Sequence, residues 1–181
     1  MWLKGAPLTL QKDRIKQILL IQLGDIGDVV VSLPCVRALK ENFPEAQVVV
    51  AVRAKARELI EICPWADDVI SIEQPQSGFS ATFRYHIAFF RRLRAFHFDL
   101  VLDLRAGTRG AVLARFSGAA IRVSFYSTKE PFWRDWAFTH LKPFMPDPNL
   151  HQSIYYQSLL TECGIDVLHR LPEIVVPAEL A

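Results

Sequence analysis

Cysteine is scarce and unpatterned in this 181-residue chain: Cys35, Cys63 and Cys163 form an odd, widely separated set. Without a C-x-x-C pair a zinc site is not indicated, and buried free thiols in a reducing cytosol are expected. Long apolar runs are missing too, none approaching the ~20 residues needed to cross a bilayer. The N-terminal stretch MWLKGAPLTLQKDRIKQ has no basic region followed by an unbroken apolar segment with a cleavage site. Charge of one sign is not in excess: the formal net charge is +2, with no lysine-rich tail, which argues against bulk nucleic-acid binding. Internal repeats and low-complexity tracts are absent. Together these absences point to a soluble, cytoplasmic protein that at most touches a membrane surface. What is present is core material, with 51% hydrophobic and 22% charged residues, enough for one substantial domain.

Apolar, β-rich runs recur with helical segments between them. QILLIQL (17–23), AQVVVAV (46–52), DDVISIE (67–73), FDLVLDL (98–104) and AIRVSF (120–125) read as strands. The first is a continuous apolar run of the kind buried on both faces of a parallel sheet. Helices are expected at 29–43, where Pro34 should bend the first turns, and at 54–63, 81–96, 108–118 and 151–164. Strict β–α alternation with short connections predicts a doubly wound, Rossmann-like α/β sheet. The aromatic, proline-rich stretch 126–152 has no clear period and is read as a long loop, of a length that is often functional. EIVVPAEL is read as a last short strand.

In an open α/β sheet, ligands sit beyond the carboxyl ends of the strands. Three turns therefore face one crevice: Gly24-Asp25-Ile26-Gly27-Asp28, Arg105 to Arg109, and the loop beginning at Tyr126. The first turn matches neither G-x-G-x-x-G nor a GxxxxGK[ST] phosphate loop. It also carries two carboxylates where those loops present bare amides, so a pyrophosphate is disfavoured there. Asp25 or Asp28 can be a helix N-cap worth ~1 kcal/mol, with the helix dipole favouring its charge, or a proton acceptor. A metal would need further oxygen ligands that the turn does not supply, so none is expected.

Arg105 and Arg109 can meet a phosphate or carboxylate on a ligand, or pair with Asp103, Asp25 or Asp28. Arg91, Arg92 and Arg94 with Phe89, Phe90 and Phe96 can form a basic, aromatic membrane-surface patch, or simply a helix with an apolar inner face and solvated arginines. His140 and His151 lack zinc spacing, and no nucleophilic Ser or Cys with a nearby His stands out. Phe132, Trp133, Trp136 and Phe138 suit core or lid packing, or a surface for a sugar face or an acyl chain.

The order of these pieces carries a resemblance. ILLIQLGDIGDVVVSLPCVRALKENFPEAQVVVAV, then ADDVISI, FDLVLDLRAGTRGAVLARFSGA, STKEP and HQSIYYQSLLTECGI are similar to successive blocks of the ADP-heptose:lipopolysaccharide heptosyltransferases, glycosyltransferase family nine. The likeness runs from residue 17 to 177. It implies a GT-B fold, of which residues 17–177 would be the Rossmann-like acceptor-binding domain. Residues 1–16 would be an N-terminal extension and 178–181 the start of a linker, with the C-terminal donor-binding domain absent and the chain alone close to inactive.

By the same resemblance Asp28 corresponds to the catalytic aspartate and Gly24 and Gly27 to the loop-forming glycines. Arg105, Arg109, Lys129 and His151 would bind the acceptor. No cofactor would be bound by this domain, ADP-heptose would be the donor substrate, and the lipopolysaccharide core at the inner-membrane surface would be the acceptor. Related family members use other donors or acceptors, and a non-catalytic glycan- or partner-binding module is the remaining alternative. Two residues depart from the family pattern: Ala106 stands where a glycine is usual, and Tyr155 where an arginine often follows the histidine.

Overall fold

β-Branched and leucine-rich segments form the sheet, and the alternation of their side chains divides the core in two. The computed structural model describes residues 8–73, 79–127, 129–143, 151–169 and 171–175, with the backbone alone for 79–85. Its strands are β1 (Gln17–Gln22), β2 (Gln47–Arg53), β3 (Asp68–Ile72), β4 (Leu100–Asp103), β5 (Ile121–Phe125) and β6 (His140–Lys142). They pair in parallel in the order β3-β2-β1-β4-β5-β6. The helices are α1 (Ile26–Asn42), α2 (Arg57–Glu61), α3 (Phe79–Ala95), α4 (Thr108–Ser117) and α5 (Gln152–Thr161).

Successive strand residues point to opposite faces. Ile18 and Leu20, Val48 and Val50, Leu100 and Leu102 enter one cluster with α1, Ile60 of α2, and α5. Leu19 and Ile21, Val49 and Ala51, and Val101 enter the other, with Leu93 of α3 and Ala111 and Ala114 of α4. Sequence order reverses between β1 and β4, so the crevice of a doubly wound sheet opens at their carboxyl ends.

Three expectations are corrected. Helix α1 begins at Ile26 rather than residue 29, because Asp25 is its N-cap, and it continues through the buried Pro34. The stretch 126–152 is not a plain loop: a 3-10 turn at Phe132–Ala137 leads into the sixth strand, β6. Residues 173–175 form no strand, and the rest of that segment, with the linker at 178–181, lies outside the described residues. Of the aromatic quartet, Phe138 is buried while Phe132, Trp133 and Trp136 are exposed. The three cysteines are free and buried, as their apolar neighbours imply.

Candidate active site

Strand β1 ends at Gln22, whose amide side chain closes the turn that follows. Its Oε1 accepts the Gly24 N–H at 3.2 Å and its Nε2 donates to the Asp28 carbonyl at 3.4 Å. This turn places the Asp28 side chain at the mouth of β1, in the third position of α1. One carboxylate oxygen, Oδ2, accepts the Asp25 N–H at 3.0 Å and Arg105 Nη1 at 2.5 Å. The other, Oδ1, accepts the Tyr156 hydroxyl at 2.9 Å. The side chain remains 25% exposed, so both its partners and solvent reach it. Burial, and then the bonded Asp28 carboxylate, push the Tyr156 phenol up, which keeps it a donor.

Asp25, three residues earlier, has different partners. It is exposed and accepts Lys55 Nζ and, at 3.1 Å, Arg53 Nη1. The Lys55 hydrogen bond holds its carboxyl below the usual range. Asp25 thus caps α1 and ties it to the end of β2, while Asp28 faces β4 and α5.

Gly24 has a steric reason. A Cβ there would lie 2.4 Å from both Cβ and Oδ2 of Asp28 and 2.7 Å from Arg105 Nη1, closer than real contacts allow. Gly27 is inside the first turn of α1 rather than in the loop, and a Cβ there meets nothing within 4 Å. The two glycines should therefore respond oppositely to alanine. Gly24→Ala is expected to cost about 1–3 kcal/mol through overpacking, whereas Gly27→Ala should stabilise by about 0.5–1 kcal/mol. Denaturant midpoints of the two variants check this, and equal midpoints would remove the steric role from Gly24.

The turn after β4 carries a strained residue. Ala106 adopts φ 58°, in the left-handed region that costs a non-glycine residue roughly 1–2 kcal/mol. A glycine, which the resemblance leads one to expect at this position, would be relaxed at this φ. Beneath this turn lies a buried polar cluster. Asp103 accepts the Arg105 N–H at 3.3 Å and the Ser124 hydroxyl at 3.4 Å. Fully buried Arg134 donates to Ser124 Oγ at 2.6 Å and to Asp135 Oδ1 at 3.0 Å, and lies 4.8 Å from the Phe138 ring centroid. Burial pushes Asp103 up to about 6, against the opposing charge of Arg134. Its backbone and side chain therefore hold β4, β5 and the base of the Arg105 turn together.

The remaining sequence candidates are dispersed. His151 is the N-cap of α5, its Nδ1 accepting the Ser153 N–H at 3.2 Å. Arg109 is exposed in the first turn of α4, and Lys129 is exposed after β5 with its N–H on Ser127 Oγ at 3.3 Å. Neither makes an ion pair among the described residues. The structure therefore joins Asp28 to Arg105, and adds Tyr156, Arg53 and Lys55, which sequence reasoning missed. Tyr156 left no signal in the sequence: it lies on an apolar helix and reaches Asp28 only because α5 packs against α1. A cavity of about 350 Å³ lies elsewhere, between β3 and α3, with mixed-charge walls that include Arg57, Asp68, Glu73 and Arg92. No group of three or more His, Cys, Asp or Glu side chains suited to a metal occurs among the described residues.

No protein-family model matches the chain. Lipopolysaccharide heptosyltransferase 3 of Escherichia coli is 26% identical over 144 residues, which are 78% of this chain and 41% of that protein. The protein of the same name from strain K12 is 24% identical over 65% of the chain and 34% of its own length. The chain thus spans less than half of each curated relative it matches. Among solved structures, the glycosyl transferase family 9 protein of Veillonella parvula superposes with a TM-score of 0.73 at 20% identity, over 91% of this chain and 46% of its own. E. coli heptosyltransferase WaaC with ADP-2-deoxy-2-fluoro heptose gives 0.72 at 15% identity, over 87% and 51%. The E. coli ADP-heptose lps heptosyltransferase II gives 0.67 at 18% identity, over 90% and 47%. In sequence and in fold, then, the chain is similar to part of a heptosyltransferase of glycosyltransferase family nine, and its Rossmann-like sheet matches those GT-B glycosyltransferase structures.

Proposed function

We propose that this chain is the acceptor-side half of an inverting glycosyltransferase that moves heptose from ADP-heptose to the lipopolysaccharide inner core, with Asp28 as the base. The observation that carries this reading is a solvent-reachable carboxylate at the switch point between β1 and β4, held on both oxygens by Arg105 and Tyr156. An acceptor hydroxyl placed there gives its proton to Asp28. Its oxygen forms a bond to the anomeric carbon as the bond from that carbon to the ADP oxygen breaks, the electron pair leaving with ADP. One displacement inverts the anomeric centre. Lys55, Arg105, Arg109 and Lys129 supply cations around the crevice for the phosphates and acid sugars of the acceptor.

The test is the anomeric configuration of the product, read by NMR from a polypeptide that carries this sequence together with a donor-binding half. Inversion is expected; retention, or no transfer from ADP-heptose, would overturn the reading. A second reading has one observation in its favour. Asp28 Oδ2 also accepts the Asp25 N–H, which is the geometry of a capping residue in a non-catalytic binding module.

A further inference from the structure

Charge is distributed unevenly between the two helical layers. The basic residues of helices α1 and α2 are paired: Arg37 with Glu41 and Glu173, Lys40 with Asp67, and Arg57 with Glu61. Between Glu73 and Glu130 the sequence has two acidic residues, Asp99 and Asp103. Asp103 is buried, and Asp99 is spent on the backbone N–H groups of Lys16 and Gln17. The α3/α4 side therefore presents Arg91, Arg94, Arg109 and Arg115, with Lys129 beyond β5, none in an ion pair among the described residues.

Apolar side chains are interleaved with these cations. Ile87, Arg91 and Arg94 follow one another at helical spacing along α3, and Ile87 is 45% exposed. Phe116 of α4 packs on Phe90 of α3 at 4.5 Å between ring centroids, yet is itself 47% exposed. The 3-10 turn that packs on α4 adds Phe132 at 75% exposure and Trp136 at 60%, set edge to face. The sequence-level candidates Phe89, Phe90 and Phe96 instead pack against the core, so the exposed apolar set differs from the one the sequence suggested. Aromatic and aliphatic tips among unpaired arginines are the chemistry of a surface that lies on an anionic bilayer, the rings entering the headgroup zone and the cations meeting phosphate.

We infer that the α3/α4 layer and the 3-10 turn form a docking face for an anionic phospholipid bilayer. The face adjoins the crevice, since Arg109 opens α4 at the carboxyl end of β4 and Lys129 follows β5. A lipid-anchored acceptor would then reach Asp28 from the plane of the membrane. That last step rests on the proposed function; the docking itself does not.

Sedimentation of the chain with vesicles tests the docking. Vesicles of phosphatidylethanolamine with one-third phosphatidylglycerol should bind it, and phosphatidylcholine vesicles should not. Basic residues near such a surface contribute about fivefold each, so R91E/R94E/R115E should weaken binding roughly 100-fold or more. K12E/K16E, at the opposite end of the strands, should bind nearly as the parent does. Circular dichroism confirms that each variant is folded. No binding, binding equal on both lipids, or binding unmoved by the triple reversal would overturn the inference. Asp28→Asn should bind vesicles normally, so failure of the docking and failure of the catalytic reading are distinguishable.

Discussion

Asp28→Asn in a protein that carries both halves is expected to lower kcat by about 10²–10⁴-fold, the range typical for loss of a general base, while leaving the fold intact. The substitution is close to isosteric. The Asn carbonyl can still accept the Asp25 N–H and Arg105, and its amide can donate to the Tyr156 oxygen once that hydroxyl turns away. What is lost is an ion pair that is partly exposed on both sides, worth about 0–1 kcal/mol. Turnover and acceptor binding measured side by side check the role: a fallen kcat with retained binding assigns the base. Unchanged turnover would leave Asp28 as the capping-box partner of Asp25 at the start of α1, and the module reading would stand.

The largest stability effect is expected at Arg134. Replacing it with methionine keeps an apolar filler of similar length but removes the cation facing Asp103, and breaking a buried charge arrangement on one side costs about 3–5 kcal/mol. The cost should depend on pH, with a defined sign. Burial raises Asp103 to about 6 in the folded protein, against about 3.9 for an ordinary aspartate. Its favourable contribution is therefore full below about pH 4 and is lost as pH rises through about 6. Without Arg134 the folded carboxyl rises further and the loss extends to higher pH. Urea unfolding should show a larger penalty for Arg134→Met at about pH 8 than at about pH 5. Adding Asp103→Leu should recover the pH-dependent part of it, because the fully buried acid is then gone, while Asp135 still lacks its partner. A penalty equal at both pH values would mean that Asp103 is not the group Arg134 serves.

The alternation of strands and helices was legible because each long element has a strong pattern of its own. Strand β1 is a run of four fully buried aliphatic residues, Ile18 to Ile21, and no loop has that composition. Strand β6 was not legible: His140-Leu141-Lys142 is three residues long, mixes charge with one leucine, and exists because β5 offers a parallel edge. The start of α1 was misplaced because two aspartates three apart both suit a helix N-terminus, and only the turn geometry makes Asp25 the cap. At the site, the turn motif offered Asp25 and Asp28 alike and the family likeness singled out Asp28, and a pairing of Arg105 with Asp28 was among the alternatives. Tyr156 and Arg134 escaped because their roles come from tertiary placement. A tyrosine on an apolar helix reads as packing, and an arginine among tryptophans reads as surface, whereas Arg134 is fully buried.

Ala106 combines two demands that normally exclude one another. The position is buried, with 5% exposure, which in a core favours larger aliphatic side chains, yet its left-handed backbone penalises β-branched residues most. Valine or isoleucine, the usual replacements among apolar neighbours, are the ones this turn rejects. The set of residues admissible at 106 is thus narrower than hydrophobicity implies, and sequence drift at the mouth of β4 is confined to alanine, glycine and the few small residues that tolerate the reversed handedness.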